Sequence, residues 1–377
     1  MQLTVENQEW VNEIWEKLDE KLKAVAVKSK EKIPYTTKNG VHDDKSEGEI
    51  DWWTNGFWPG LMWLMYVGTK NDVYKETAEI SEKKLDKALY EQHDLLHHDV
   101  GFMWLISSGV NYRLFGGKES KNRTLCAANT LAARFNMAGN FIRAWNGDGN
   151  EGWVIIDCMM NIPLLYWASK ETNDPRFRYI AEAHADTTMK NHVRPDGSVN
   201  HILCYDPVTG ELLESLGGQG YGTGSSWSRG QSWALYGFAL SYIHTGKQEY
   251  LDTAKRVAHY FISCICDDYV PKSDFRAPAE PVIYDTTAGA IAACGLIEIA
   301  NCVGEYEKGI YLNAAMNILK ALEKDHINWS PEEDSLLQNG CEAYHVEEER
   351  RQIPIIYGDY YFAEAIYKLK GFDLLFE

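Results

Sequence analysis

The sequence predicts an all-α fold, an (α/α)6 barrel of six helical hairpins with a small β-hairpin insertion. Two observations predict it. Apolar residues recur at three- and four-residue spacing through twelve segments of the 377-residue chain, which is the period of a helix face. The segments also alternate in kind, apolar all round and then amphipathic. A helix apolar all round must be covered on every side, whereas an amphipathic one covers something else. An inner ring of helices wrapped by an outer ring satisfies both. An α-solenoid would carry a repeat of about 33–47 residues, and none is present. No composition shift or linker divides the chain, so residues 1–377 are read as a single catalytic domain.

The first helix, roughly 5–31, is amphipathic, with Trp10 and Trp15 on its apolar side. Pro34 and Gly40 open a polar loop that runs to about Gly48. The stretch 54–68 (GFWPGLMWLMYVG) is almost wholly apolar, and 71–92 is charged and amphipathic. Segment 100–115 is apolar and 119–138 amphipathic. Segment 153–170 (WVIIDCMMNIPLLYWASK) is apolar almost all round and is read as one helix, followed by a charged helix at 175–190. Residues 197–213 read as a β-hairpin around Pro207 and Gly210, because turn residues separate two apolar runs. Helices resume at 228–245, 247–266, 285–302, 306–324 and 358–370.

Composition excludes several classes. The net charge of −18 argues against nucleic-acid binding, which needs a basic face. No apolar run reaches the ~18–20 residues of a membrane span. The N-terminal MQLTVENQEW lacks the basic start and apolar block of an export signal,. The eight cysteines show no zinc-like or CxxC pattern, the closest pair being Cys264 and Cys266. They are read as reduced thiols of a cytoplasmic protein. Aromatics stand out, with 13 Trp, 22 Tyr and 12 Phe. Most belong to a bulky core, but Trp52, Trp53, Trp58, Trp145, Trp227 and Trp233 stand beside Gly, Asp, Arg and Gln. Sugar rings stack on such side chains, so a carbohydrate site is expected.

Three constellations carry chemistry. Asp157 lies in VIIDCMMNIP with no other charge nearby. A lone carboxylate in an apolar setting is costly to bury and titrates high, which suits a proton donor and acceptor near neutral pH. Asp99 lies in HHDVGFMW, where an N-cap is the plain alternative,. His97 and His98 precede it, but consecutive side chains do not converge easily on one ion, so no metal is assigned. His98 is read as a substrate hydrogen-bonding partner. The third is GGQGYGTGSSWSRGQSW, whose glycines at 217, 218, 220, 222, 224 and 230 permit tight turns and close approach to a ligand,. No Lys-Ser/Thr follows, so it is not a Walker loop. Arg229 and Trp233, four apart, share a helix face,, and a guanidinium there suits a carboxylate. Two carboxylates among aromatics point to glycoside hydrolysis.

Taken together, DWWTNGFWPGLMWL, HHDVGFMW, WVIIDCMMNIPLLYWA, SSWSRGQSWALYGFAL, YDTTAGAIAACGLIEIA and YGDYYFAEAIYKL resemble the unsaturated glucuronyl hydrolases of glycoside hydrolase family 88. The motifs occur in family order across about residues 50–370. The resemblance implies an (α/α)6 barrel. It implies a substrate with a C4=C5 unsaturated uronic acid at its non-reducing end, hydrated at that enol ether with no cofactor. Carried over by motif, Asp157 matches the general acid/base and Asp99 the second essential carboxylate. Trp53, His98, Trp145 and His201 match sugar contacts. Gln219, Trp227, Arg229 and Trp233 match the group around the uronate, with Arg229 expected on its carboxylate.

The chain departs from the family at Gly218, where relatives commonly have Arg or His, and at Thr223 and Gly224, where an acidic pair is common. Before the last helix stands AYHVEEERRQ, where relatives adapted to sulfated fragments carry hydroxyl residues and a lysine. Glu347, Glu348 and Glu349 predict a preference for unsulfated or weakly sulfated disaccharides. The rivals are an unsaturated rhamnogalacturonyl hydrolase acting on pectin fragments, a sugar epimerase on the same barrel, and a non-catalytic sugar-binding protein.

Overall fold

Six helices with apolar surfaces on every side stand inside six amphipathic ones. The computed structural model describes residues 3–372, and the helices found there are α1 (Val5–Lys28), α2 (Phe57–Thr69), α3 (Asp72–Glu91), α4 (100–115), α5 (Lys118–Ala133), α6 (Pro163–Thr172), α7 (Pro175–Asn191), α8 (Ser228–Thr245), α9 (Gln248–Ile265), α10 (Thr286–Cys302), α11 (Glu305–His326) and α12 (Ile356–Leu369). The even-numbered helices form the inner ring. α8 is buried from Ser228 to Ser241, α10 from Thr286 to Ala300, and α12 along its whole length. The odd-numbered helices bury one face each, as α9 does through Leu251, Ala254, Val257, Ala258 and Phe261. The ring closes where α12, the last element, packs against α2, the first inner helix. Among the described residues no helix is long and apolar enough to cross a membrane.

Small residues set how closely the inner helices approach. A Cβ on Gly295 would stand 2.9 Å from the Tyr236 Cα, so α10 and α8 touch backbone to side-chain root. A Cβ on Gly101 would stand 2.6 Å from the Asn161 Cα, which brings the start of α4 against the turn before α6. α4 is not uniform. Val100–Trp104 and Val110–Phe115 are α-helical, and Leu105–Gly109 is a single π turn. Such turns collect near functional sites, and this one begins six residues after Asp99.

One predicted helix is corrected. Residues 153–170 are not continuous: Trp153–Ile155 is strand β1, Ile156–Met160 a 3-10 turn, and α6 starts only at Pro163. Proline has no N–H to give an earlier turn and its fixed φ suits the first helical position, so the helix begins there. The expected hairpin is present as β2 (Ile202–Tyr205) and β3 (Leu212–Leu216), and β1 pairs antiparallel with β2 to make three strands. Helix α5 stops at Ala133, short of the expected 138, because Phe135–Asn136 pairs with Phe141–Ile142.

Candidate active site

The inner helices bring their N-terminal ends to one mouth. Trp53 precedes α2, Asp99 caps α4, and Asp157 sits in the 3-10 turn ahead of α6. Trp227 and Arg229 open α8, Asp285 and Thr287 open α10, and Tyr357 opens α12. Contacts stitch the six ends together. Trp53 lies 5.2 Å from Tyr357 and 5.7 Å from Phe102, ring centre to ring centre. Arg229 lies over both Trp227 and Tyr357, at 4.6 and 5.4 Å. Helix N-termini carry partial positive charge, so this mouth suits an anion despite the chain's negative total.

Asp157 is 8% exposed, and its Oδ1 accepts no hydrogen bond from the protein. Burial pushes its carboxyl up to about 7, while the Arg229 charge pulls the other way. His201, on β2, holds Nε2 at 3.7 Å from that oxygen. The Gln219 backbone N–H donates to His201 Nδ1 at 3.0 Å. An amide can only donate, and the Gly217 carbonyl lies farther from the same nitrogen, at 3.3 Å. Burial holds the ring neutral, lowering it to about 3. Its single proton is therefore on Nε2, facing Asp157.

Asp99 is arranged the opposite way. His98 Nδ1 lies 3.0 Å from the Ala144 carbonyl, which only accepts, so that nitrogen carries the proton. Nε2 of the neutral ring is then a bare lone pair, 3.2 Å from Asp99 Oδ1. Burial first, and Asp157 second, push Asp99 well above the ordinary carboxylate range. Asn161 Nδ2 donates to Asp99 Oδ1 at 3.0 Å and to the Asp157 carbonyl at 3.3 Å, while its Oδ1 accepts from Phe102 N–H at 2.9 Å. One amide thus ties the two acidic turns and α4 together.

The other expected residues divide into cleft and support. Trp53, Gln219 and Arg229 border a cavity of about 160 Å3 with Tyr35, Trp52, Glu342, Ala343, Val346, Arg350 and Tyr357. Larger grooves exist, including one of about 600 Å3 beside Tyr166 and His244, but they hold none of this chemistry. Trp145 meets His98 edge-on at 5.9 Å and Trp153 at 6.1 Å. Trp227 packs on His201 at 4.1 Å. Trp233 is fully buried between Phe102 and Tyr361 and offers no face to the cleft. Gln219 spends its amide on the Glu342 carbonyl at 2.7 Å.

Arg229 is engaged before any ligand arrives. Its guanidinium is 1% exposed and donates to Asp285 Oδ2 and the Cys341 carbonyl, both at 2.5 Å, and to the Glu342 carbonyl at 2.7 Å. A free cation for a uronate is therefore not what the sequence pattern delivers. Its charge reaches Asp157 instead. Asp285, Tyr357, Glu342 and Asn161 were not singled out from sequence. Asp285 and Tyr357 stand in the YDTTAGA and YGDYYF motifs, so their motifs carried the signal. Asn161 had only its place four residues after Asp157.

The glycine-rich loop is built around Asp274, whose carboxylate accepts from Tyr221 N, Ser225 Oγ and Ser226 N. Gly218 has φ +57, and a Cβ there would lie 2.2 Å from His201 Nδ1. A side chain at this position would therefore collide with His201.

The profile of Glycosyl Hydrolase Family 88 matches residues 25–270. The chain belongs to that family. Within Family 88 it is 37% identical over 329 residues to the unsaturated glucuronyl hydrolase of Bacillus sp. (strain GL1), covering 84% of this chain and 86% of the relative. It is 35% identical to the unsaturated chondroitin disaccharide hydrolase of Streptococcus pneumoniae, covering 83% and 81%. Among solved Family 88 structures, a variant of unsaturated glucuronyl hydrolase from Streptococcus agalactiae in complex with dGlcA-GalNAc6S superposes with a TM-score of 0.84. That match is 30% identical and covers 98% of this chain and 93% of the other. The helical barrel read from the periodicity is thus the barrel of the family.

Proposed function

We propose that this chain is an unsaturated glucuronyl hydrolase. It releases the 4,5-unsaturated uronic acid from the non-reducing end of lyase-generated glycosaminoglycan disaccharides and oligosaccharides. The observation that carries the reading is Asp157, a buried carboxyl titrating near neutrality with one oxygen unpartnered in the protein and facing His201. A carboxyl so tuned gives and takes a proton at working pH.

Protonated Asp157 delivers its proton to C4 of the enol ether, and cationic character develops at C5. The carboxylate left behind takes a proton from the water that adds at C5, which returns Asp157 to its acid form. The resulting hemiketal opens the ring between C5 and its ring oxygen. C1 is then a hemiacetal and expels the remaining sugar as an alcohol. His201 Nε2–H supports the transient Asp157 carboxylate. Asp99, held by Asn161, stays protonated and donates to the substrate. The helix N-termini and the Arg229 charge supply the positive potential for the uronate, and Trp53 and Trp145 supply faces for sugar rings. The reading assigns no metal or cofactor to the reaction and no macromolecular partner.

The same reading takes residues 1–377 as one catalytic unit. It places the enzyme in the cytoplasm, acting on imported fragments, which the buried free thiols of Cys158, Cys204, Cys294 and Cys341 favour,.

The test is loss of the ultraviolet absorbance of the C4=C5 chromophore. Wild type should bleach unsaturated chondroitin or hyaluronan disaccharide, and Asp157→Asn should not. Bleaching of only pectin-derived disaccharides would transfer the reading to the rhamnogalacturonyl class.

A further inference from the structure

Three consecutive side chains at the start of α4 do what consecutive side chains seldom do: they bring their donor atoms to one point. His97 Nδ1 lies 3.5 Å from Asp99 Oδ2, and His98 Nε2 lies 3.2 Å from Asp99 Oδ1. The three ligand atoms all fall within 4.8 Å of one another. Neither His97 Nδ1 nor His98 Nε2 makes a hydrogen bond to the protein, and His98 is 1% exposed. A buried imidazole nitrogen without a partner calls for an explanation.

The spacing fits a small transition-metal ion. Ligand bonds of ~2.0–2.2 Å in tetrahedral array put ligand atoms about 3.4 Å apart. Each histidine nitrogen stands about that far from the Asp99 carboxylate, His97 Nδ1 at 3.5 Å from Oδ2 and His98 Nε2 at 3.2 Å from Oδ1, and rotation of the partly exposed His97 ring brings the set onto one ion. The His98 ring is held for the purpose, since its other nitrogen donates to the Ala144 carbonyl. A backbone carbonyl behind a ligating histidine is the usual way to fix its orientation. Two nitrogens and one oxygen suit zinc, cobalt or copper, not calcium or magnesium, which prefer oxygen alone. One charge opposes a cation here: Arg134, bonded to the Arg143 and Ala144 carbonyls and Asn146, lies near enough to act on both histidines. It weakens the site and makes an ion there a reversible visitor rather than a resident.

We propose that His97, His98 and Asp99 form an inhibitory binding site for a zinc-class divalent ion. The inhibitory part rests on the reading of Asp99 as an essential carboxylate, because an ion on Asp99 removes it from the reaction. The fourth ligand position is left for water on the cleft side.

The experiment has two arms. Co2+ is titrated into metal-free protein while visible absorbance is followed, and Zn2+ is titrated into a turnover assay with unsaturated chondroitin disaccharide. A tetrahedral cobalt band should develop in wild type and be lost in both His97→Ala and Asp99→Asn. Zinc should inhibit wild type, and a chelator should restore activity. His97→Ala should keep basal turnover while its half-inhibitory zinc concentration rises about tenfold or more. No cobalt band in wild type overturns the site. Zinc inhibition equal in wild type and His97→Ala also overturns it. If wild type turns over no unsaturated uronide, the proposed function fails, and the cobalt arm still decides the site.

Discussion

His201 directs Nε2 at Asp157 Oδ1 across 3.7 Å, and the Gln219 backbone fixes the proton on that nitrogen by occupying the other. The donor is thus set by a loop amide two strands away from the acid it serves. Exchanging His201 for Ala removes support from the ionised form of Asp157. The expected result is a kcat lower by about 10–100-fold, the worth of ~1–3 kcal/mol of interaction with the charge that Asp157 carries during turnover. The alkaline limb of the pH profile should move upward. A profile superimposable on wild type would sink this role.

Asp157 must be protonated to begin the reaction, and its carboxyl is pushed up to about 7. Turnover should therefore fall as pH rises through that value. Stability carries the same signature. The folded state holds this proton more tightly than the unfolded chain, so the stability it confers is complete at acid pH and lost as pH rises through 7. At pH 8 Asp157→Asn should be more stable than wild type by about 1–4 kcal/mol, narrowing at pH 5. Melting temperatures at the two pH values measure this. Equal differences at both would contradict it.

Asn161 bridges Asp99 and the Asp157 turn without touching the cleft chemistry itself. Asn161→Ala should lower kcat by about 10-fold or more, as expected when a buried carboxyl loses a partner, with KM nearly unchanged. Asn161→Asp should be worse, because it sets a further carboxyl against Asp99. Steady-state kinetics of the two variants decide; an effect confined to KM would refute the assignment.

Arg229 and Asp285 form a fully buried ion pair, 1% and 0% exposed. Arg229→Met leaves Asp285 buried without its countercharge, which costs about 3–5 kcal/mol. The double variant Arg229→Met with Asp285→Asn should regain much of that loss. Urea unfolding of the set gives the coupling. Additive losses would mean that the pair contributes nothing jointly.

The segment holding Glu347, Glu348 and Glu349 lies exposed beside the cavity bordered by Val346 and Arg350. Arg350 is already paired with Glu342 and Glu347. Unsulfated chondroitin disaccharide should therefore be cleaved faster than its 6-sulfated form. Changing the three glutamates to Gln should narrow the gap. Faster cleavage of the sulfated substrate by wild type would overturn the preference.

The barrel was legible because burial on all sides leaves an unmistakable composition, as in α10 and its TTAGAIAACGLIEIANC. Asp157 was legible for the same reason, as a lone charge in an apolar run. What periodicity hides is the break inside 153–170, where β1 and the 3-10 turn are as apolar as the helix that follows. The engagement of Arg229 was hidden too. Its partners, Asp285, Cys341 and Glu342, are 56 residues away or more, and no local pattern reports them. The convergence of His97, His98 and Asp99 runs against the expectation for consecutive side chains, because a turn at His98 and Asp99 precedes α4.

Closure of the ring by α12 against α2 has a consequence for how the protein is made. Trp53 and Tyr357 meet at 5.2 Å, yet ribosomes add the second some three hundred residues after the first. Until α12 emerges, the apolar flank of α2 has no permanent neighbour and the mouth lacks one of its six sides. Catalytic competence therefore arrives all at once, only when α12 has joined the helices made before it.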